Sequence, residues 1–231
     1  MMLLFVLGYG QDIYSRATYF GQANPNGACG YGEYGRTAND GYVAGVDRPY
    51  KNGIGCGKVQ DKRMHTRWGG GLVVVATDFG MGDRTDFLFP AKTYAKMAQP
   101  GLEAELLSYG VVNIEYHRVP CTFRGSNFIV NIHEATRYPN YLAIIITYNP
   151  ILYDVVGIQV LQEETQEWKP MRKPFGAVWD LENPPRVNGG YRLRYFLQAS
   201  NTNAATWVES PTLIPANNSR KGADFELAIK L

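Results

Sequence analysis

The sequence predicts an all-β protein of two domains, the second a β-sandwich. Three observations carry the all-β reading. Gly 25 and Pro 13 in 231 residues supply turns at close intervals. Tyr, at 16, dominates the aromatics and favours pleated, half-buried surfaces. Short apolar runs alternate with polar residues at period two over most of the chain. The 45% hydrophobic and 19% charged content describes a folding chain with ample material for a core. Lys plus Arg at 23 against Asp plus Glu at 21 leaves a formal charge of +2. That balance excludes nucleic-acid recognition resting on bulk charge, and equally an acidic solvating chain.

Taken in order, the chain opens with MMLLFVL. No apolar run reaches the roughly 18 residues of a membrane helix, and residues 1–14 read either as an ordinary N-terminus or as a truncated signal segment. From residue 15 to about 70, Gly, Asn, Asp and Tyr separate short apolar pieces. Leu72 to Thr77 is a β-branched run closed by Asp78 and the turn-rich Gly80–Asp83, which predicts a buried strand ending in a loop. Pro90 opens a helical pattern through Tyr94, Met97 and Ala98, stopped by Pro100 and Gly101. Leu102 and Leu106 make a second amphipathic turn, with Glu103 and Glu105 facing water. Val112, Ile114 and Tyr116 alternate with Asn113, Glu115 and His117, a half-buried strand. A hinge at Pro120–Gly125 places the domain break near Cys121–Gly125, giving domains 15–121 and 125–231. Beyond it no helix is predicted. Phe128, Val130 and Ile132 alternate, Tyr141–Tyr148 and Val155–Leu161 are nearly continuous apolar strands, and Tyr191, Leu193 and Tyr195 alternate with Arg192, Arg194 and Phe196. Such spacing predicts a sandwich.

Little recognised chemistry is present. There is no G-x-S-x-G elbow, no protease cysteine signature, no H-E-x-x-H and no C-x-x-C. His65, His117 and His133 lie far apart and read as surface or strand-face residues, so no metal or cofactor is implied. Gly69–Gly71 lacks the Lys-Ser/Thr of a phosphate loop and reads as a flexible turn. Asp78, Asp83 and Asp86 surround the end of the Leu72–Thr77 strand and either rim a groove or serve turns; Asp78 is the best functional candidate. Cys29, Cys56 and Cys121 allow one disulfide plus a thiol, or three thiols.

The segments ATYFG (17–21), NGACGYGEYG (26–35), KNGIGCG (51–57), VVVATD (73–78) and YGVVNIEYHRVPC (109–121) resemble the first domain of expansins. PNYLAI (139–144), EWKPMRKPFGAVWD (167–180) and LIPAN (213–217) resemble the second domain. GEYGRTANDGYVAGV and GDRTDF are most similar to the plant expansin-like B branch. The resemblance implies a six-stranded double-psi β-barrel followed by an immunoglobulin-like sandwich, secretion to the plant cell wall, and binding of cellulose or hemicelluloses such as xyloglucan by a monomer, with no nucleic-acid or membrane partner. It further implies a groove like that of family 45 endoglucanases, where two aspartates invert the glycosidic bond. The family's His-Phe-Asp motif falls on Asp86-Phe87-Leu88, which puts Leu88 at the acid position and argues for glycan contact without catalysis. Asp78 matches the other groove aspartate, Thr18 a groove threonine and Phe20 a groove tyrosine. Lys51 matches a groove-edge lysine, or is a solvated turn residue.

Tyr141 and Phe175 align with the family's flat aromatic platform, with Tyr19 extending the line; pyranose C–H groups pack on such faces. Trp179, Tyr148 and Tyr195 read as core, and Trp168 is open. Cys29 and Cys56 match a family disulfide, whereas the cysteines expected after Gly57 are missing, leaving Cys121 an unpaired thiol. A truncated or misjoined reading frame would account for both the missing cysteines and the short start. Asn217-Asn218-Ser219 is a glycosylation sequon if the chain is secreted. Two rivals stay open: a weak glycoside hydrolase pairing Asp78 with Asp86 or Asp83, and a glycan-recognition module without loosening activity.

Overall fold

Residues 12–24, 26–64, 71–82, 84–121, 127–149, 152–187, 189–199, 204–216 and 221–227 are described by a computed structural model, with the backbone alone for 59–64. Alternation drives the first half. Ala17, Ala44, Val46, Val74, Ala76, Phe87, Phe89 and Ile114 send their side chains to one buried interior, as period-two patterning requires of a closed sheet. The elements are β1 (Ile13–Phe20), α1 (Tyr34–Thr37), β2 (Val43–Val46), β3 (Val59–Met64), β4 (Leu72–Phe79), β5 (Phe87–Pro90), α2 (Ala91–Ala95), α3 (Glu103–Tyr109) and β6 (Val112–Val119). The six strands close a barrel in the order β1-β5-β2-β4-β3-β6. β1 runs parallel to β5 and β2 parallel to β4, and the other pairs are antiparallel. Tyr94, Met97 and Leu106 of the α2–α3 region are fully buried and plug the barrel.

The second half is a sandwich of β7 (Phe128–Ile132), β8 (Tyr141–Tyr148), β9 (Tyr153–Gln162), β10 (Glu167–Pro170), β11 (Arg172–Phe175), β12 (Val178–Glu182), β13 (Gly190–Tyr191), β14 (Leu193–Ala199), β15 (Ala205–Glu209), β16 (Ile214–Pro215) and β17 (Asp224–Leu227). One sheet has the order β10-β9-β14-β15, the facing sheet β11-β12-β8-β7-β17, and β13 pairs with β16. Trp179 and Tyr195 are buried between the sheets. Tyr148 is buried too, but it faces the barrel, packed with Val43, Val75, Ile129 and Cys121. The expected strand over 191–195 is broken at Arg192, which separates β13 from β14. Most of the expected domain break, 122–126, lies outside the described residues, as do His65, Asp83 and the 217–219 sequon.

A buried junction joins the two halves. Its apolar part is the Cys29–Cys56 disulfide with Tyr31, Ala143, Ile145, Ala177 and Val178. Its polar part places Lys58 Nζ 3.1 Å and Arg118 2.6 Å from Asp154, with both cations also donating to the Tyr153 carbonyl. Burial, with Arg118 nearby, lowers Lys58 to about 7, against the opposing pull of Asp154. Asp154, which burial alone would raise, is held below its ordinary value by the two cations. The Cys121 thiol is 3% exposed, lies 3.8 Å from the Gly57 carbonyl, and is pushed up to about 12 by burial.

Two outcomes are expected. Asp154→Asn removes the carboxylate that Lys58 and Arg118 share and should cost about 3–5 kcal/mol in urea unfolding, whereas Glu33→Gln at the exposed Arg36 pair should cost less than about 1 kcal/mol. Equal effects would mean that the junction is open in solution. Thiol titration should find no reactive cysteine in the native chain, one per chain in denaturant and three after reduction, the last step costing about 3–4 kcal/mol for a separation of 27 residues.

Candidate functional site

The strand register assembles a row of positions on the outer face of the barrel. Thr18 on β1 pairs with Leu88 on β5, and Leu88 pairs with Gly45 on β2. A register shift after Ala44 brings Asp78, not Thr77, opposite Gly45. Directly paired residues share a face, so Thr18, Leu88, Gly45 and Asp78 line up across four strands while Phe87 and Phe89 point into the core. Gly45 and Gly80 form the floor: a Cβ added at Gly80 would meet Leu88 at 3.2 Å. Leu88 and Asp78 sit two strand spacings apart, roughly 9–10 Å between backbones. The family resemblance puts the two carboxyls of an inverting groove at these two positions, and at Leu88 this chain carries an alkyl group.

Asp78 and Asp86 both have hydrogen-bond partners. Asp78 Oδ1 accepts the N–H groups of Ala28 at 2.5 Å and Phe79 at 2.8 Å. Asp86 is buried and paired with Arg48, whose Nε lies 2.7 and 2.8 Å from its two oxygens, and Ser15 Oγ donates to it at 2.5 Å. Burial would raise Asp86, but the hydrogen bonds and charge of Arg48, with Ser15, outweigh it and hold the carboxyl below its ordinary value. A proton donor needs the opposite shift.

On the sandwich, Tyr141 and Phe175 occupy the outward face of the five-stranded sheet. Phe175 pairs with Val178, which pairs with Ile145, four residues along β8 from Tyr141. Phe175 is 50% exposed and Tyr141 half-buried. Between them Arg172 forks onto Asp180 at 2.9 and 3.1 Å and reaches Glu182 at 2.8 Å, while the Tyr141 hydroxyl donates to Asp180 at 2.8 Å. The His133 ring stands edge-on to Phe175 at 6.5 Å. This face abuts the barrel: a Cβ at Gly30, which holds φ +77°, would lie 2.7 Å from the Phe175 ring. The stretch from Ala28 to Gly30 therefore links the Asp78 groove to the Phe175 ring. On the barrel side Tyr50 lies 5.2 Å from Phe79, which is 42% exposed.

The sequence-predicted residues divide accordingly. Thr18, Asp78 and Leu88 share the groove row, and Phe20 continues its parity on β1. Thr18 Oγ1 donates to the Gly110 carbonyl at 2.8 Å. Lys51 is exposed in the 48–53 turn, beside Asn52, whose carbonyl accepts Lys173 at 2.7 Å. Tyr19 needs correction: it shares the inward parity of Ala17, its ring packs 4.9 Å from Tyr94 and its hydroxyl donates to Leu107, so it does not extend the aromatic line. Trp168 lies on the opposite sheet, against Arg194. His117 is engaged by Asp12 at 2.9 Å, and among the described residues no cluster could hold a metal ion. Sequence reasoning missed Arg172, Asp180, Phe79 and Tyr50. Arg172 and Asp180 lie within EWKPMRKPFGAVWD, but only their cross-strand pairing brings them between Tyr141 and Phe175.

Comparison with known proteins agrees with this geometry. A family model described as the Expansin C-terminal domain matches residues 129–215. Expansin-like B1 of Arabidopsis thaliana is 46% identical over 240 aligned positions, spanning 100% of this chain and 94% of that protein. The crystal structure of an apo Clavibacter michiganensis expansin matches with a TM-score of 0.63 at 15% identity, over 90% of this chain and 94% of that one. A single-site variant of that expansin, solved in complex with cellohexaose, matches with a TM-score of 0.62 at 13% identity and the same coverage. The shared architecture is a double-psi barrel joined to a β-sandwich.

The Arg48–Asp86 pair has a pH signature. A lowered native pKa gives stability that is complete above the ordinary Asp value of 3.8 and is lost as pH falls through the lower native value. The Tm of the wild type should therefore drop steeply below about pH 4, and Asp86→Asn should lower Tm at neutral pH while flattening that acid limb. An acid limb unchanged in Asp86→Asn would show that Asp86 is not held ionised.

Proposed function

Because the chain belongs to the expansin family, with its strongest resemblance to the expansin-like B branch, we propose that it is a secreted, non-hydrolytic wall protein that binds β-glucan polymers, cellulose or xyloglucan, as a monomer. The observation that carries this reading is the groove row Thr18–Leu88–Gly45–Asp78, which offers one carboxylate and, two strands away, an alkyl side chain where the family resemblance puts the acid. Leucine transfers no proton, and Asp86 cannot substitute while Arg48 and Ser15 keep it ionised. Among the described residues the hydrolase rival therefore finds no general acid beside Asp78.

Binding falls to packing and hydrogen bonding. The Phe175 ring and the exposed edge of Tyr141 take the C–H faces of pyranose rings, while the Arg172–Asp180–Glu182 network between them meets hydroxyls. Asp78 Oδ2, Thr18 and Lys51 continue polar contact onto the barrel. A polymer held along this surface exchanges polymer–polymer contacts for protein contacts, and chains can slip without being cut. The cellohexaose complex of the bacterial expansin supports the ligand class.

Two assays test the proposal. In cellulose pull-down, Phe175→Ala should weaken binding about two- to tenfold, the equivalent of about 0.5–1.5 kcal/mol of ring contact, with no reducing ends released by any form. Absent binding, or sugar release that Asp78→Asn abolishes, would reject the reading. Creep of heat-inactivated wall strips should accompany binding; binding without creep would leave glycan recognition alone.

A further inference from the structure

On the outer face of the five-stranded sheet most polar groups are used on one another. Asp180 is 3% exposed and both of its oxygens are taken. Oδ1 accepts from Arg172 Nε at 2.9 Å, and Oδ2 accepts from Arg172 Nη2 at 3.1 Å and from the Tyr141 hydroxyl at 2.8 Å. Burial, with that hydrogen bond to Asp180, pushes the Tyr141 phenol up to about 12, so it stays a donor to the carboxylate. Arg172 Nη2 also donates to Glu182 at 2.8 Å. Lys173, the next residue, is turned into the junction, where its ammonium donates to the carbonyls of Asn52 and Gly176. A guanidinium is planar, with N–H donors on all three of its nitrogens. In Arg172 those on Nε and Nη2 are committed, whereas those on Nη1 have no partner among the described residues, and the side chain is 58% exposed. Nε and Nη2 form the edge that faces Asp180, so Nη1 is the corner turned away from it. The fork onto a buried carboxylate fixes the plane of the group. Its open donors are therefore held in one orientation on the face that carries Tyr141 and Phe175, before any ligand arrives.

We propose that Arg172 is the residue by which this face recognises sugar hydroxyls: its Nη1 N–H groups donate to hydroxyl oxygens of a glucan chain whose rings lie over Phe175 and Tyr141. The inference deepens the glycan reading of the platform and rests on it. Stacking on Phe175 and Tyr141 is tolerant of where along the face a ring sits, because any apolar sugar face fits a flat side chain. A donor fixed in direction is not, so Arg172 sets the register of the chain on the platform. Lysine in its place keeps the charge but has no planar fork with which to be aimed by Asp180.

The test is calorimetric titration of the full chain and its variants with cellohexaose. Arg172→Lys should weaken binding roughly tenfold, as the loss of hydrogen bonds from a charged donor allows. Arg192→Lys, the same change at an exposed arginine between β13 and β14, should leave binding unchanged. Tyr141→Phe, which keeps the ring and removes only the hydroxyl bonded to Asp180, should weaken binding by a smaller factor than Arg172→Lys. A second readout uses the wild type: the Arg172 side-chain NMR signal should shift on saturation with cellohexaose, which a residue that only braces Tyr141 would not do. Unchanged binding in Arg172→Lys, a loss in Tyr141→Phe or Arg192→Lys as large as in Arg172→Lys, or an Arg172 signal that stays in place would overturn the proposal. A chain whose cellohexaose binding is weakened by Phe175→Ala and not by Arg172→Lys overturns this inference alone; one that binds cellohexaose in no form overturns the glycan reading as well.

Discussion

The relation between the two domains depends on the main chain at Cys29. Its carbonyl accepts the Ala177 N–H at 3.0 Å across the junction, and its sulfur is bonded to Cys56. One residue earlier, Ala28 donates to Asp78; one residue later, Gly30 lies under the Phe175 ring. Gly176 must accept close backbone as well, since a Cβ there would sit 2.3 Å from the Ala28 carbonyl. Three consecutive residues thus tie the barrel groove, the disulfide and the aromatic sheet face to one another. The spacing between the barrel groove and the Phe175 face is thus set by covalent and main-chain bonds, not by side-chain rotamers.

The charged part of the junction works differently. Lys58, Arg118 and Asp154 could be replaced by apolar groups without loss of stability in principle, because desolvating charges costs about as much as their attraction returns. Apolar surfaces, however, slide over one another at little cost. Hydrogen-bonded ions aimed at Asp154 and the Tyr153 carbonyl have one low-energy arrangement. The apolar cluster around the disulfide holds the domains together, and the ion cluster holds their orientation.

Much of this was legible in the sequence because burial writes itself at period two. The strands at 128–132 and 141–148, the helical turns after Pro90 and the core positions of Trp179 and Tyr195 follow from alternation and turn residues. Pairing between distant segments leaves no such trace. Arg48 and Asp86 are 38 residues apart in sequence, so three aspartates at a strand end read as a rim when one of them is a buried ion-pair partner. Tyr19 shows the other failure. Its neighbours Thr18 and Phe20 face outward, and period two alone sends Tyr19 inward onto Tyr94, yet an aromatic beside groove residues invites a functional assignment. The bulge that turns Asp78 onto the groove face is invisible for the same reason: it exists only relative to β2.

The persistence of Asp78 beside an alkyl residue then has a physical account that needs no catalysis. One oxygen of Asp78 accepts two main-chain N–H groups, those of Ala28 and Phe79, which fix the stretch leading to Cys29 and Gly30. Removing that acceptor would leave the partly buried Ala28 N–H unsatisfied and release the loop that meets Phe175. Position 88 has no comparable duty, since Leu88 packs over Gly80 and Gly45 as an apolar side chain should. The two groove positions are therefore unequal in structure before any chemistry is considered.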